Sequence, residues 1–306
     1  DVLMQHIRMR TGDAPGGPSG EDRDAFNVLG PDTYNVVVDH VSASWGVDEN
    51  GSTWYEEHDI TVSNSIIAES LHNSIHPKGA HGKGFLVGDY TTNVSLIGNL
   101  LAHNDDRNPR IKGTAQALVL NNVMYNNKSQ MVIGSPDGPA LVSAIGNVFI
   151  DGPSSPWNRK MIEVYPANSA AGTQVYQTDN AYVGNQGGAI WGYATSFNPS
   201  VSTPPVWKDG LTVRPSSTVE DRVLNNAGAR PADRDSIDIR IVDEVRSRSG
   251  RIIDSQSEVG GWAPVSDTYR PFIVPSNPNG DDDADGYTNI EEMLHQMASD
   301  VEGGSV

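Results

Sequence analysis

The stretch NVSLIGNLLA at residues 93–102 decides the fold, because its pattern recurs along the first two thirds of the chain. Apolar residues alternate with polar ones, lead to one asparagine or histidine, and continue as a second apolar run. The pattern returns at residues 35–44, 59–68, 116–125, 140–149 and 173–182. Alternation with a period of two is typical of β-strands, so each copy predicts strand structure interrupted by a bend.

The shared polar residue sets the spacing of the repeat. Aligning it gives steps of 24, 35, 23, 25 and 33 residues, with one earlier copy 34 residues upstream; the aligned positions are His6, His40, Asn64, Asn99, Asn122, Asn147 and Asn180. A recurrence of this length with occasional excess predicts solenoid coils that carry loop insertions on one side. We therefore predict an all-β fold, a right-handed parallel β-helix. Val, Ile and Leu stack inside it, and the recurrent asparagines bond the backbone at a bend.

Composition limits the class of protein. The 306 residues are 37% hydrophobic, which suffices for a large core, while 31 glycines and 19 prolines favour turns over long helices. A net charge of −18 leaves no extended basic face for nucleic acid. No stretch approaches the roughly 18 apolar residues of a membrane span. We expect a monomer with neither a nucleic-acid nor a membrane partner.

Cations are concentrated in one segment of this acidic chain. Residues 76–112 hold five of the 21 lysines and arginines together with three histidines. Fixed guanidinium and ammonium groups recognise carboxylates and phosphates through charge-assisted hydrogen bonds. The segment therefore predicts an anion-binding site, against the alternative of a solvated basic patch.

The repeat fades after about residue 195. Residues 219–229 and 235–249 have the apolar spacing of helices, with Asp235 as a cap of the second helix and Gly250 as its end. We expect three parts: a catalytic β-helix at 1–195, a tail at 196–278 that packs on it, and residues 279–306.

The last part contains an EF-hand-like loop, DDDADGYTNIEE at residues 281–292. Acidic or amide residues occupy loop positions 1, 3, 5, 9 and 12, and Gly286 occupies the sharp turn; these residues are Asp281, Asp283, Asp285, Asn289 and Glu292. The spacing predicts a structural calcium site, followed by a helix at IEEMLHQM and a frayed terminus. A disordered acidic tail is the alternative.

Four motifs resemble the pectate lyases of polysaccharide lyase family 1. They are VDHVSASWGVDE (38–49), SIHPKGAHGKGFLVGD (74–89), LLAHNDDRNPRIKG (100–113) and RDSIDIRIVDEVRSRSGRIIDSQSEVGGW (234–262). The resemblance implies a secreted, calcium-dependent enzyme that cleaves polygalacturonate by β-elimination. Members of this family usually carry further coils before a strand like DVLMQHIRMR, so we expect N-terminal coils beyond this sequence.

Site residues follow from the same resemblance. It implies Arg107 as the base that takes the C5 proton and Lys83 as its partner on the substrate carboxylate. Acidic side chains within eleven residues supply hard oxygen ligands that suit Ca²⁺; they are Asp39, Asp48 and Glu49. Cations and histidines nearby are candidates for substrate binding, namely Lys112, Arg110, Lys78, His76 and His81.

Elimination in a uronic-acid polymer requires cations around the carboxylate where negative charge develops. A bound Ca²⁺ with Lys83 and Lys112 meets that requirement. Two alternatives stay open: a lyase of another uronic-acid polymer on the same fold, and a non-catalytic carbohydrate-binding β-helix. A solenoid with only a structural role needs neither a base nor a metal site, so the cluster of Arg107, Lys83 and acidic residues favours an enzyme.

Overall fold

The computed structural model describes residues 1–135, 137–193, 197–264 and 272–303, without the side chains of 135 and 166–169. Within them the chain winds as a parallel β-helix whose coils each contribute one strand to three seven-stranded sheets. The first sheet contains β1 (Val2–Gln5), β4 (Tyr34–Asp39), β7 (His58–Ser63), β10 (Thr92–Ile97), β13 (Gln116–Leu120), β16 (Leu141–Ile145) and β19 (Gln174–Thr178).

The second and third sheets complete each coil. The second contains β2 (Arg8–Arg10), β5 (Ser42–Ser44), β8 (Ile66–Ala68), β11 (Leu100–Ala102), β14 (Val123–Tyr125), β17 (Val148–Ile150) and β20 (Ala181–Val183). The third contains β3 (Asn27–Leu29), β6 (Glu49–Trp54), β9 (Lys83–Val87), β12 (Arg110–Ile111), β15 (Met131–Ser135), β18 (Lys160–Ser169) and β21 (Ala189–Gly192). The predicted fold is confirmed.

Alternating side chains of the first sheet fill the interior. Val36 and Val38 of β4 stack on Ile60 and Val62 of β7, and the valines pair with these residues in register. All four are buried. The stacking predicted from the apolar alternation is therefore present, coil upon coil.

The bend between the first and second sheets, here called the first corner, holds an asparagine ladder. Each ladder amide accepts a hydrogen bond from the backbone N–H of the preceding coil, as Asn122 Oδ1 does from Asn99 N at 2.8 Å. The ladder continues through Asn147 to Asn180. The ladder amides thus provide acceptors for backbone N–H groups at the bend.

The sequence alignment was wrong by one position in the earlier coils. His40 and Asn64 occupy the left-handed corner position, with φ of 48° and 44°, whereas Asn99 follows Gly98 in that position. The ladder position of the Asn64 coil is Ser65, whose N–H donates to Asn99 Oδ1 at 2.9 Å. Both positions favour asparagine, for different reasons, and this similarity misled the alignment.

The tail packs over the second sheet. Its helices are α1 (Val219–Asn226) and α2 (Ser236–Ser247), and it contains 3₁₀ turns at Ser216–Thr218, Pro231–Asp233 and Gln256–Val259. A further 3₁₀ turn, Gly20–Asp22, lies in a loop of the β-helix. Val223 and Ile241 join one apolar cluster with Ile66 and Leu100 of the β-helix. This burial anchors the tail, as the helical spacing predicted.

Asp235 caps α2, accepting from Asp238 N at 3.0 Å. The predicted end at Gly250 was wrong, because α2 ends at Ser247 and Arg248 takes the left-handed position with φ of 57°. Gly250 has another role: a Cβ there would lie 2.6 Å from the ring of His103. Glycine thus allows the tail to approach the β-helix closely.

The last helix, α3 (Asn289–Glu302), continues further than expected. Val301 is buried, and Glu302 Oε1 lies 3.1 Å from His6 Nε2 and 3.6 Å from His40 Nδ1. The frayed terminus predicted from residue 299 onward was therefore wrong up to Glu302, where α3 ends before its cap Gly303; residues 304–306 lie outside the described part. No helix in the described ranges is long and apolar enough to cross a membrane.

Candidate active site

The candidate site lies where the second sheet turns into the third, here called the second corner. The longest connections between strands of the described chain, residues 11–26, 69–82 and 151–159, occur at this corner. The insertions thus lie on one side of the solenoid, as the uneven repeat spacing predicted. Loops are where a rigid scaffold carries binding and catalytic residues.

Three carboxylates converge here from two coils. Asp24, Asp48 and Glu49 each place an oxygen within 4.8 Å of the others. Asp24 Oδ1 accepts from the backbone N–H of Glu49 at 2.7 Å, which fixes the position of the earlier coil against β6. Burial, with the charge of Asp48 nearby, raises the pKa of Asp24 to about 6. Such crowding of like charges costs free energy unless a cation compensates it.

Arg107 reaches this carboxylate group from two coils away. Its guanidinium forms an ion pair with the buried carboxylate of Glu49. The backbone at Arg107 is left-handed, with φ of 63°, and its carbonyl accepts from Phe85 N at 2.6 Å. Burial lowers the pKa of the guanidinium and Arg110 lowers it further, although Asp48 opposes them.

Two stacked histidines hold Asp48. The rings of His76 and His81 are parallel, with centroids 3.8 Å apart. His81 Nε2 lies 2.6 Å from Asp48 Oδ1, and His76 Nε2 lies 3.6 Å from Asp48 Oδ2. Because Nδ1 of His76 accepts from Lys78 N at 3.2 Å, its Nε2 carries the proton and faces the carboxylate. Burial disfavours the charge of Asp48, but the bond from His81 keeps its pKa below the usual range.

Lys83 lies at the start of β9, directly beside Glu49 in the sheet register. Its Nζ is 3.6 Å from Asp105 and 3.7 Å from Asp106. Lys128 Nζ also approaches Asp105, at 2.8 Å, so the cations here alternate with carboxylates. Lys83 and Arg107 thus lie at the same corner.

Three predicted substrate contacts have other partners. Arg110 donates to the carbonyl of Gly134 at 2.9 Å and lies over the ring of Tyr165. Lys112 lies beyond the opposite end of the strands, because its N–H bonds Val87, the last residue of β9. Lys112 Nζ lies 2.6 Å from Asp89 and over the ring of Trp54. Lys78 Nζ lies 2.8 Å from Glu21.

Asp39 does not join Asp48 and Glu49. It ends β4 at the first corner, where it accepts hydrogen bonds from Ser63 at 2.6 Å and Gln5 at 3.0 Å, and lies 2.6 Å from His40 Nδ1. Burial opposes its charge, but these bonds hold the pKa of Asp39 well below its usual range. The prediction of one metal site from all three acids was therefore wrong, since strand β5 separates the first corner from the second.

Sequence reasoning missed four residues of the second corner: Asp24, His72, Asp105 and Lys128. Asp24 comes from a preceding loop without a recognisable motif, and only the coil stacking brings it to Glu49. Asp105 lies inside the motif at residues 100–113 and Lys128 lies one coil further on, so their opposite charges at this spacing were a usable signal.

The tail loop brings together three of its five predicted calcium ligands. Asp281, Asp283 and Asp285 place oxygens within 4.8 Å of one another, and Gly286 takes φ of 101°. Glu292 of α3 interacts with this group. Desolvation is the main cause that raises the pKa of its carboxyl, and the charge of Asp283 raises the pKa further.

The donor set at the second corner fits a hard divalent cation. Asp24, Asp48 and Glu49 offer carboxylate oxygens alone, the ligands that Ca²⁺ prefers. Burial is the main cause of the raised pKa of Asp24, and a bound cation would favour the charged form of its carboxyl. These residues, rather than Asp39, are the candidate ligands for such a cation.

Comparisons with known proteins point to one class. No family model matches the chain. Probable pectate lyase C of Neosartorya fischeri is 30% identical over 329 residues, covering 97% of this chain and 72% of the relative. Probable pectate lyase C of Aspergillus flavus is 30% identical over 330 residues with the same coverage.

Solved structures show the same fold. A pectate lyase of Bacillus sp. N165, in complex with trigalacturonate, matches with a TM-score of 0.51 and 16% identity, over 74% of this chain and 67% of that chain. A second pectate lyase, studied for substrate specificity and anti β-elimination, matches with a TM-score of 0.53 and 18% identity, over 76% and 62%.

Proposed function

Because the chain belongs to the pectate lyase family, we propose that it is a calcium-dependent polysaccharide lyase that cleaves polygalacturonate by β-elimination at the second corner. The observation that supports this most strongly is the convergence of Arg107, Lys83 and three carboxylates from neighbouring coils. The solved relative bound to trigalacturonate supports the substrate class.

In the proposed reaction, a base removes the proton from C5 of a uronate unit. The electron pair forms the C4–C5 double bond, and the C4 oxygen leaves with the other half of the polymer. Arg107 is the proposed base, because burial lowers the pKa of its guanidinium although the charge of Asp48 opposes this shift. Glu49 orients the guanidinium by the ion pair between them.

The substrate carboxylate needs positive charge around it when the proton departs. Asp24, Asp48 and Glu49 would hold Ca²⁺, which would neutralise this carboxylate and stabilise the developing charge. Lys83 would contribute a further positive charge from the adjacent strand. His76 and His81 would keep Asp48 ionised and correctly oriented. We leave Lys112 and Arg110 out of the chemistry because they have other partners.

The tail loop is a proposed second calcium site with a structural role. Its ligands would be Asp281, Asp283, Asp285, Asn289 and Glu292. α3 continues from the loop to Glu302, which contacts His6 of the β-helix. Binding at the loop would thereby stabilise the docking of α3.

We further propose the division into a β-helix domain at 1–195, a tail at 196–278 and a calcium loop at 279–306, and a secreted location. We also propose that the protein is a monomer that acts on a polymer outside the cell.

A panel of uronic-acid polymers tests the function. Purified protein with calcium is mixed with polygalacturonate, methylated pectin, alginate and ulvan, and ultraviolet absorbance reports the unsaturated product. We expect the highest rate on polygalacturonate. A higher rate on alginate or ulvan would replace the proposed substrate, and absence of product on all four would contradict lyase activity.

A further inference from the structure

A pocket at the first corner is lined by two arginines of the tail. It has a volume of about 210 Å³ and lies between the β-helix and the tail; its lining includes Asn64, Asn121, Arg214 and Arg222. Within the described residues, neither Arg214 nor Arg222 forms an ion pair through its guanidinium. By contrast, Arg248 pairs with Glu220 at 2.7 Å on the same tail.

The backbone beside Arg214 is held in place. Asn121 Oδ1 accepts from Arg214 N at 2.9 Å, and Asn121 Nδ2 donates to Arg214 O at 2.8 Å. Asn121 is itself buried. Gly146 permits this approach, since a Cβ there would lie 2.3 Å from Asn121 Nδ2 and 3.0 Å from Arg214 O. The arginine therefore projects from a fixed support, which lowers the entropy cost of binding.

The two guanidinium groups repel each other when the pocket is empty. Partial burial, and then the charge of Arg214, lowers the pKa of Arg222. An anion between them would relieve that repulsion and accept charge-assisted hydrogen bonds from both. The protein has a net charge of −18, yet within its described part these two arginines share a pocket without a carboxylate partner. The pocket therefore favours an anionic ligand.

An apolar groove adjoins the pocket. Thr212 and Arg214 line the pocket, while the intervening Val213 lines a groove of about 460 Å³ together with Tyr176 and Trp207. Trp207 is exposed. Exposed aromatic faces in a groove pack against the apolar faces of sugar rings, as ligand grooves of this kind do.

We infer that the pocket of Arg214 and Arg222, with the groove of Trp207 and Tyr176, binds a uronate segment of a polysaccharide away from the second corner. The arginines would hold a carboxylate and the aromatic side chains a neighbouring ring. The identity of the ligand rests on the proposed function, whereas its charge rests on the pocket itself. Such a site would hold the polymer on the enzyme between cleavage events.

Native gel electrophoresis with and without polygalacturonate in the gel tests this site, with EDTA present so that calcium does not support binding at the second corner. The full chain is compared with the double variant Arg214→Gln, Arg222→Gln. The control is Arg230→Gln, Arg251→Gln, which removes the same charge from the pairs with Asp233 and Glu258. Thermal denaturation verifies folding of each variant.

We expect the polymer to retard the wild type and the control alike, and the dissociation constant of the Arg214 and Arg222 variant to rise at least about fivefold. Equal retardation of all three proteins, or none of the wild type, would overturn the inference. Equal retardation by fully methyl-esterified pectin would contradict binding through a carboxylate. Equal retardation by dextran sulfate that also depends on the two arginines would contradict a preference for uronate. Binding is measured without turnover, so these results stand apart from the polymer panel that tests lyase activity.

Discussion

Arg107 forms an ion pair with Glu49 across an intervening coil, since β9 separates β12 from β6 in the third sheet. The Glu49 side chain is 5% exposed, so its charge depends on this partner or on a bound cation. The relationship connects the proposed base directly to the proposed calcium ligands. Each can therefore be tested by a substitution that retains part of the pair.

Arg107→Lys should lower kcat at least about a hundredfold while the protein folds normally. Lysine keeps the charge beside Glu49 but cannot place a second nitrogen in the same plane beside C5–H. Steady-state rates on polygalacturonate with calcium provide the measurement, with Arg110→Lys as a control that should retain most activity. Near-wild-type kcat from neutral pH to about 10 would exclude Arg107 as the base.

Lys83→Ala and Lys112→Ala should differ. Lys83→Ala should raise KM and lower kcat, because the lost charge acts on bound substrate and on the developing charge. Lys112→Ala should leave both near wild type and lower thermal stability, since Asp89 and Trp54 lose their partner. Kinetics and melting curves of both variants decide; a reversed pattern would place the substrate carboxylate at Lys112.

Asp281→Ala and Asp283→Ala should lower the melting temperature in calcium while kcat changes little. The substituted residues occupy ligand positions of the tail loop, a cluster separate from Asp24, Asp48 and Glu49. Asp282→Ala is the matched control, because loop position 2 supplies no ligand side chain. Melting curves at saturating calcium that are equal for all three variants would show that the loop does not bind calcium or is not coupled to the fold.

His103 should make stability fall as pH drops from about 6.5 to about 4. Burial lowers its pKa from 6.5 to about 4, so in this window the unfolded chain binds a proton that the folded chain does not. The free energy of unfolding should lose up to about 3 kcal/mol from this residue.

Urea unfolding across this pH range measures the effect. His103→Asn should flatten the pH dependence relative to wild type, and His58→Asn, at a half-exposed histidine, should not. Parallel profiles of wild type and His103→Asn would contradict the assignment.

The repeat revealed the fold because strand alternation and corner asparagines are local in sequence. The family motifs, rather than the repeat, indicated Lys83 and Arg107, and the clustering of acidic residues indicated Asp48 and Glu49. The structure brings these four residues together at the second corner.

The errors arose where the position around the coil mattered. Asp39 and Asp48 are nine residues apart in sequence, yet they belong to different corners. Lys112 follows Arg107 by five residues. Strand β12 lies between them, so Lys112 is at the opposite end of the strands of the third sheet. The stacking of one coil on the next brings Asp24 to Glu49. The spacing of residues within a single motif does not reveal such a contact.

Calcium dependence of the initial rate tests the central claim most directly. Unsaturated product from polygalacturonate is followed in EDTA and then at increasing free Ca²⁺, for wild type, Asp48→Asn and Asp281→Ala. We predict no activity in EDTA, full recovery with calcium, and at least a tenfold higher half-saturating calcium for Asp48→Asn alone. Full activity of the wild type in rigorously metal-free buffer would contradict the account.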